Sequence, residues 1–99
     1  MVNFLLLQEF NLLSDNFLRD PSKEKALEIY YNLLHQRTEL RNINHAGEVF
    51  PKEQGDSYLL SLKKGMNLIN LLKSDDPHIL NLQSIMYMMV RTYSEHIYF

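Results

Sequence analysis

The sequence predicts an all-α protein, an antiparallel four-helix bundle. Three observations lead there. Apolar residues recur every three or four positions along four long segments, the signature of helices with one buried face. Only three Gly and three Pro stand among the 99 residues, too few for a turn-rich β fold. Asp-Pro pairs, Asp20-Pro21 and Asp76-Pro77, stand where two of the segments begin. A chain of this length makes one domain, residues 1–99. So small a domain buries a modest core, to which every element must contribute.

Helix 1 is placed at about 3–19. Leu6, Phe10, Leu13 and Phe17 are spaced four, three and four, which is one helix face; Leu7 and Leu18 widen it. Helix 2 is placed at 21–41. Asp20 is the expected cap, and Pro21 suits the first helical position because its missing N–H has no intrahelical partner there. The expected stripe is Ala26, Tyr30, Leu33, Arg37 and Leu40, with Leu27 and Leu34 alongside. Arg37 would lay its stem over apolar surface and keep its head in water.

Residues 42–56, NINHAGEVFPKEQGD, read as the one long irregular connection, punctuated by Gly47, Pro51 and Gly55. Val49 and Phe50 are positioned to fold back on the core. Helix 3 follows at 57–74, with Leu59, Leu62, Met66 and Ile69 as its stripe and Leu72 beside them. Gly65 shares that face. A mid-helix Gly costs up to about 1 kcal/mol against Ala, so it points to close approach of another helix. Helix 4 is placed at 77–98, with Asp76-Pro77 repeating the Asp20-Pro21 device. Its stripe is Leu82, Met86, Met89, Tyr93 and Ile97, flanked by Ile79, Ile85 and Val90. The tight links make helices 1–2 and 3–4 antiparallel hairpins.

Composition excludes several classes. No cysteine is present, so disulfides, thiolate metal sites and cysteine catalysis are ruled out. Net charge is −2, and the densest basic spots are only Lys23/Lys25 and Lys63-Lys64. That is not the basic face of a nucleic-acid binder. The apolar run Phe4 to Leu7 has no basic residue before it and reads as no signal peptide. No segment approaches the ~20 apolar residues that span a bilayer, and a cytoplasmic location is the expectation.

One short stretch imitates an active site. Gly55-Asp56-Ser57-Tyr58-Leu59 resembles the G-D-S-x-L signature of serine esterases, and Asp75-x-x-His78 resembles the block that completes their triad. The resemblance implies Ser57 as nucleophile and His78 as base. Those enzymes place the serine after a strand in an α/β/α domain about twice this length. Here Pro51-Lys52-Glu53-Gln54 precedes Gly55. Ser57 starts helix 3 and His78 starts helix 4, so a helix roughly 27 Å long separates them. The expected role of the stretch is structural: Gly55 ends the loop, and Asp56 or Ser57 caps helix 3. His35, His45, His78 and His96 form no zinc-type motif. Glu24 and Glu28 read as part of a solvated charged face. No phosphate-binding loop is present. No catalytic, cofactor-binding or metal residue is assigned, and neither a cofactor nor a small-molecule substrate is expected.

The last segment, SIMYMMVRTYSEHIYF, holds three of the five Met and three of the six Tyr. Tyr87 and Met88 fall off the Met86–Met89–Tyr93 stripe, so helix 4 is apolar round more than half its circumference. Two arrangements fit: a central buried helix, or a helix with a second apolar face for a partner, for which Met and Tyr are suited. The expected partner-binding residues are Tyr87, Met88, Arg91, Tyr98 and Phe99.

Four helices of 17 to 22 residues in so short a chain, the run Glu9-Phe10-Asn11-Leu12-Leu13, then Asp20-Pro21, then the helix 2 stripe resemble the opening of the small bacteriocin immunity proteins. That resemblance implies a bacterial, cytosolic, antiparallel four-helix bundle. It implies protection of a producer cell from its own pore-forming peptide, through the complex of peptide and membrane receptor. Many members carry an irregular tail after helix 4 and a basic charge, and this sequence has neither. The functional expectation is therefore a non-enzymatic protein that binds a protein partner. The alternative is a homodimeric regulatory adaptor or antitoxin-like protein that uses helix 4.

Overall fold

A computed structural model describes the backbone of residues 4–45 and 52–97 and the side chains of residues 5–40 and 55–94. It contains four helices: α1 Phe4–Arg19, α2 Lys23–His45, α3 Lys52–Ile69 and α4 Pro77–Ile97. No strand occurs among the described residues.

Successive helices run antiparallel. Asn32 of α2 reaches the Leu6 carbonyl of α1, while Lys25 reaches Asp20 at the other end. Tyr58 of α3 meets Tyr93 of α4, while Gln83 of α4 meets the Ile69 carbonyl. Tyr58 also donates to the Leu33 carbonyl, and Gly65 lies against Leu33 and Ile29, which sets α3 antiparallel to α2. Among the described residues α3 packs against all three other helices, and α4 packs mainly along α3. The result is a flattened body of 43 × 26 × 16 Å.

One core draws on every helix: Phe10 and Phe17 from α1, Ala26, Ile29, Leu33 and Leu40 from α2, Tyr58, Leu62, Leu68 and Ile69 from α3, Leu82 and Met86 from α4. At Gly65, α3 lies close against α2. A Cβ built there would lie 2.7 Å from Leu33 Cδ1 and 3.4 Å from Ile29 Cγ2, so the expected close approach is real.

Several boundaries and faces differ from expectation. The helix α2 begins at Lys23, and its cap is Ser22, not Asp20. Ser22 Oγ accepts from the Lys25 N–H at 3.2 Å, and the Ser22 carbonyl accepts from the Ala26 N–H. Asp20 lies two residues too early: its N–H donates to the Asn16 carbonyl and closes α1, and its Oδ2 accepts from Lys25 Nζ at 3.2 Å. The Asp76-Pro77 pair does behave as expected. Asp76 Oδ1 accepts from the His78 N–H at 2.9 Å, and Pro77 is the first helical residue. Irregular chain across 42–56 is overturned at both ends, since α2 continues to His45 and α3 starts at Lys52. Val49 and Phe50 lie outside the described residues. Gly55, Asp56 and Ser57 therefore sit inside α3, and none caps it.

Helix 3 also stops at Ile69 instead of 74. The Leu71 and Leu72 N–H groups turn back to Leu68 and Ile69 in i→i+3 bonds, which tighten the last turn. Gln83 Nε2 then donates to the Ile69 and Leu72 carbonyls at 3.2 and 3.0 Å. The Ile69 carbonyl thus accepts a second bond beside that from the Leu72 N–H, and the Leu72 carbonyl beyond the helix end gains a donor.

The buried face of α2 is rotated from the expected one. It runs Ala26, Ile29, Leu33, Gln36, Leu40, while Tyr30 is half-buried and Arg37 is exposed. Two amides make this possible. Asn32 Nδ2 donates to the Leu6 carbonyl at 3.1 Å, and Gln36 Nε2 donates to Asn32 Oδ1 at 2.8 Å. On α1, Leu18 is exposed and Ser14 is fully buried, its hydroxyl donating to the Phe10 carbonyl.

Candidate functional site

The candidate surface begins with how α4 is held. Asp76 caps its first turn, and Asp76 Oδ2 lies 3.5 Å from Lys23 Nζ at the start of α2. The Asp76 carboxyl is held below its usual pKa, first by the His78 N–H and then by the Lys23 charge. Ile79, Leu82 and Met86 are buried, and Ile85, Met89, Val90 and Tyr93 are half-buried. Tyr93 sets its ring edge-on to Tyr58 at 4.7 Å between centroids. Burial, reinforced by the Asp56 carboxylate, pushes the Tyr93 phenol well above its ordinary pKa. These contacts fix the inner face of α4 and so decide what points outward.

Tyr87 and Met88 point outward, 58% and 54% exposed. Arg91 is exposed beside them. The helix is thus not a buried centre, and its second apolar face meets solvent. Tyr98 and Phe99 lie outside the described residues. Leu80 belongs to the same face, 49% exposed, and sequence reasoning missed it. The signal was present. Pro77, Leu80, Ser84, Tyr87 and Arg91 are spaced three, four, three, four, a second helical stripe, and all five are exposed. It became readable once the core side of the helix was known.

A second feature is a shallow groove of about 290 Å³ between α1 and α3, lined by Leu7, Phe10, Ser57, Leu60 and Lys64 among others. Lys64 Nζ stands 5.8 Å from the centre of the Phe10 ring. Ser57 therefore does face a groove, yet among the described residues its lining contains neither histidine nor carboxylate. His78 is out of reach at the far end of the α3–α4 hairpin, since Tyr58 pairs with Tyr93 and Ile69 with Gln83. The groove is also at the lower limit for enclosing a small ligand. Among the described residues no group of three or more His, Asp or Glu is placed to hold a metal ion. No described helix is long and apolar enough to cross a membrane.

The fold is all-α, an antiparallel four-helix protein, and among the described residues Leu5, Leu12 and Leu60 are exposed as well as the Leu80–Met88 stripe of α4. Comparison with protein-family models, with curated proteins and with solved structures gives no match.

Proposed function

We propose that this protein is non-enzymatic and works by binding another protein through the outer face of α4. The observation that supports this reading is the exposure of Tyr87 and Met88 beside Leu80, on a helix whose opposite face is already satisfied by the core. Aromatic and Met side chains are enriched at protein interfaces, where Arg also recurs. In its concrete form the protein acts as a bacteriocin immunity protein, and its partner is the complex of a pore-forming peptide with its membrane receptor. Support comes from the antiparallel four-helix arrangement within 99 residues and from the Glu9–Leu13 and Asp20-Pro21 elements of the opening.

The test is protection. A sensitive bacterium expressing the protein should survive one particular bacteriocin, and Tyr87→Asp or Met88→Asp should abolish survival while helix content is retained. Absence of protection across a broad bacteriocin panel would overturn the immunity reading. Affinity capture from solubilised membranes, with and without the peptide, then identifies the receptor.

A further inference from the structure

The groove between α1 and α3 holds polar groups that the fold does not use. Ser57, Ser61 and Lys64 follow one another at four and three residues along α3, one helix face about 10 Å long, and Asn11 of α1 joins them. Elsewhere the hydroxyls of Ser14, Thr38 and Ser94 donate to carbonyls of their own helices. Ser57 and Ser61 make no such bond. Among the described residues no hydrogen bond takes up their hydroxyls or the Asn11 amide, and no ion pair takes up the Lys64 ammonium. Ser61 is only 9% exposed, and a side chain buried that deeply ordinarily has a hydrogen-bond partner. Lys64 Nζ does lie 5.8 Å from the centre of the Phe10 ring. That contact is weak at an exposed site, and it positions the ammonium without pairing its charge.

All four groups can donate a hydrogen bond, one is a cation, and among the described residues no carboxylate lines the groove. Leu7, Phe10 and Leu60 supply apolar surface beside them, with Leu60 69% exposed. The groove therefore complements an anion that carries an apolar group. A shallow space of about 290 Å³ suits a chain end whose remainder stays in solvent better than it suits an enclosed metabolite. In the last residue of a chain, a carboxylate and a side chain share one Cα, so both halves of the site are met at once. We propose that this groove captures the C-terminal carboxylate of a partner polypeptide whose last residue is apolar. Lys64 and Ser61, about one helix turn apart, take the carboxylate with Asn11 beside them. Ser57 donates to the preceding peptide carbonyl, and the last side chain lies on Leu7 and Leu60. The serine of the G-D-S-x-L imitation is thereby a hydrogen-bond donor and no nucleophile. No described residue of α4 lines the groove, so this site stands independently of the α4 surface.

The test titrates the N-acetylated tripeptide Ala-Ala-Phe into the isotope-labelled full chain and follows nuclear magnetic resonance shifts. Its C-terminal amide and the free acid of Ala-Ala-Ser are titrated in parallel. The free acid of Ala-Ala-Phe should move the amides of Ser57, Ser61 and Lys64 and the methyls of Leu60, with a dissociation constant on the order of 1 mM. The amide and the serine peptide should each bind about tenfold more weakly. Lys64→Gln should reduce binding of the acid to that of the amide. Lys64 is exposed, so this variant should keep its circular dichroism. Tyr87→Asp, on the other surface, should leave the titration unchanged. Equal binding of acid and amide overturns the proposal, as do shifts centred outside α1 and α3, or none at about 10 mM peptide. Octanoate that binds as tightly as the tripeptide overturns the chain end as occupant and makes it a free fatty carboxylate. Loss of bacteriocin protection on Tyr87→Asp reports on the α4 surface alone, so the two readings fail separately.

Discussion

Replacing Gly65 by Ala sets two known effects against each other. Alanine gains about 1 kcal/mol of helix propensity over glycine in a helix interior. The new Cβ, however, would lie 2.7 Å from Leu33 Cδ1, with Ile29 Cγ2 at 3.4 Å and Met86 Cε at 3.5 Å. Carbon atoms in favourable contact sit about 3.5–4.0 Å apart, so the Leu33 methyl must retreat by roughly 1 Å. The obstructing atom is the end of a flexible side chain, but Leu33 is fully buried, so its shift takes place inside the core. Overpacking of this kind costs about 1–3 kcal/mol. The net expectation is a loss of about 1 kcal/mol, within a range of roughly 0 to 2. Leu33→Ala removes the obstructing methyl and alone costs about 2–5 kcal/mol. In that background Gly65→Ala should change sign and stabilise by about 1 kcal/mol, giving a coupling energy near ~2 kcal/mol. Urea unfolding followed by circular dichroism on the four proteins of the cycle measures it. If Gly65→Ala stabilises the unaltered protein by the full propensity gain, and does the same in the Leu33→Ala background, then α3 and α2 do not meet as described.

Other perturbations probe the polar contacts. Gln83→Glu sets a carboxylate against the Ile69 and Leu72 carbonyls, which disfavours its charged form and raises its folded pKa. Its stability should be greatest below the unfolded value of about 4.3 and fall as pH rises through the folded pKa; a denaturation midpoint unchanged between about pH 4 and 7 would refute the clamp. Tyr93 has its folded pKa raised by burial. Its contribution is intact below the unfolded value of about 10 and is lost as pH climbs beyond it, so Tyr93→Phe should flatten the fall in melting temperature above about pH 10. Gln36→Leu orphans the buried Asn32 Oδ1, a cost of about 1–3 kcal/mol that is partly offset because the buried, unpartnered Gln36 Oε1 is removed with it. Adding Asn32→Leu should recover most of that loss, because both ends of the bond are then apolar; equal stabilities of single and double variants in calorimetry would contradict the paired amides.

The helices themselves were legible because their apolar spacing follows from the ~3.6-residue repeat, and the close approach at Gly65 was legible from an otherwise costly residue. What misled was competition between residues able to do the same job. Asp20 and Ser22 are both good caps, and the start of α2 at Lys23 decides for Ser22, while the Asp20 carboxylate is held by Lys25 Nζ. The face of α2 was misjudged because Asn32 and Gln36 look polar one at a time and become tolerable in a core when they bond to each other and to the Leu6 carbonyl. Helix 3 ran past its true end because the terminating group, Gln83, lies on the next helix. Gly55-Asp56-Ser57 looked like punctuation, yet α3 had already begun at Lys52. For the surface, Tyr87 and Met88 were visible as residues off the stripe, while Leu80 looked like one more member of an apolar segment until the inner face was fixed.

The attachment of α4 mainly along α3 has a kinetic meaning. A helix held along one side opens without dismantling the rest, whereas α3, gripped by three neighbours, opens only with the whole fold. Amide protons of α4 should therefore trade with deuterium through local opening at a lower free energy than those of α3. The surface that displays Leu80, Tyr87 and Met88 is thus carried by a helix held mainly along one side.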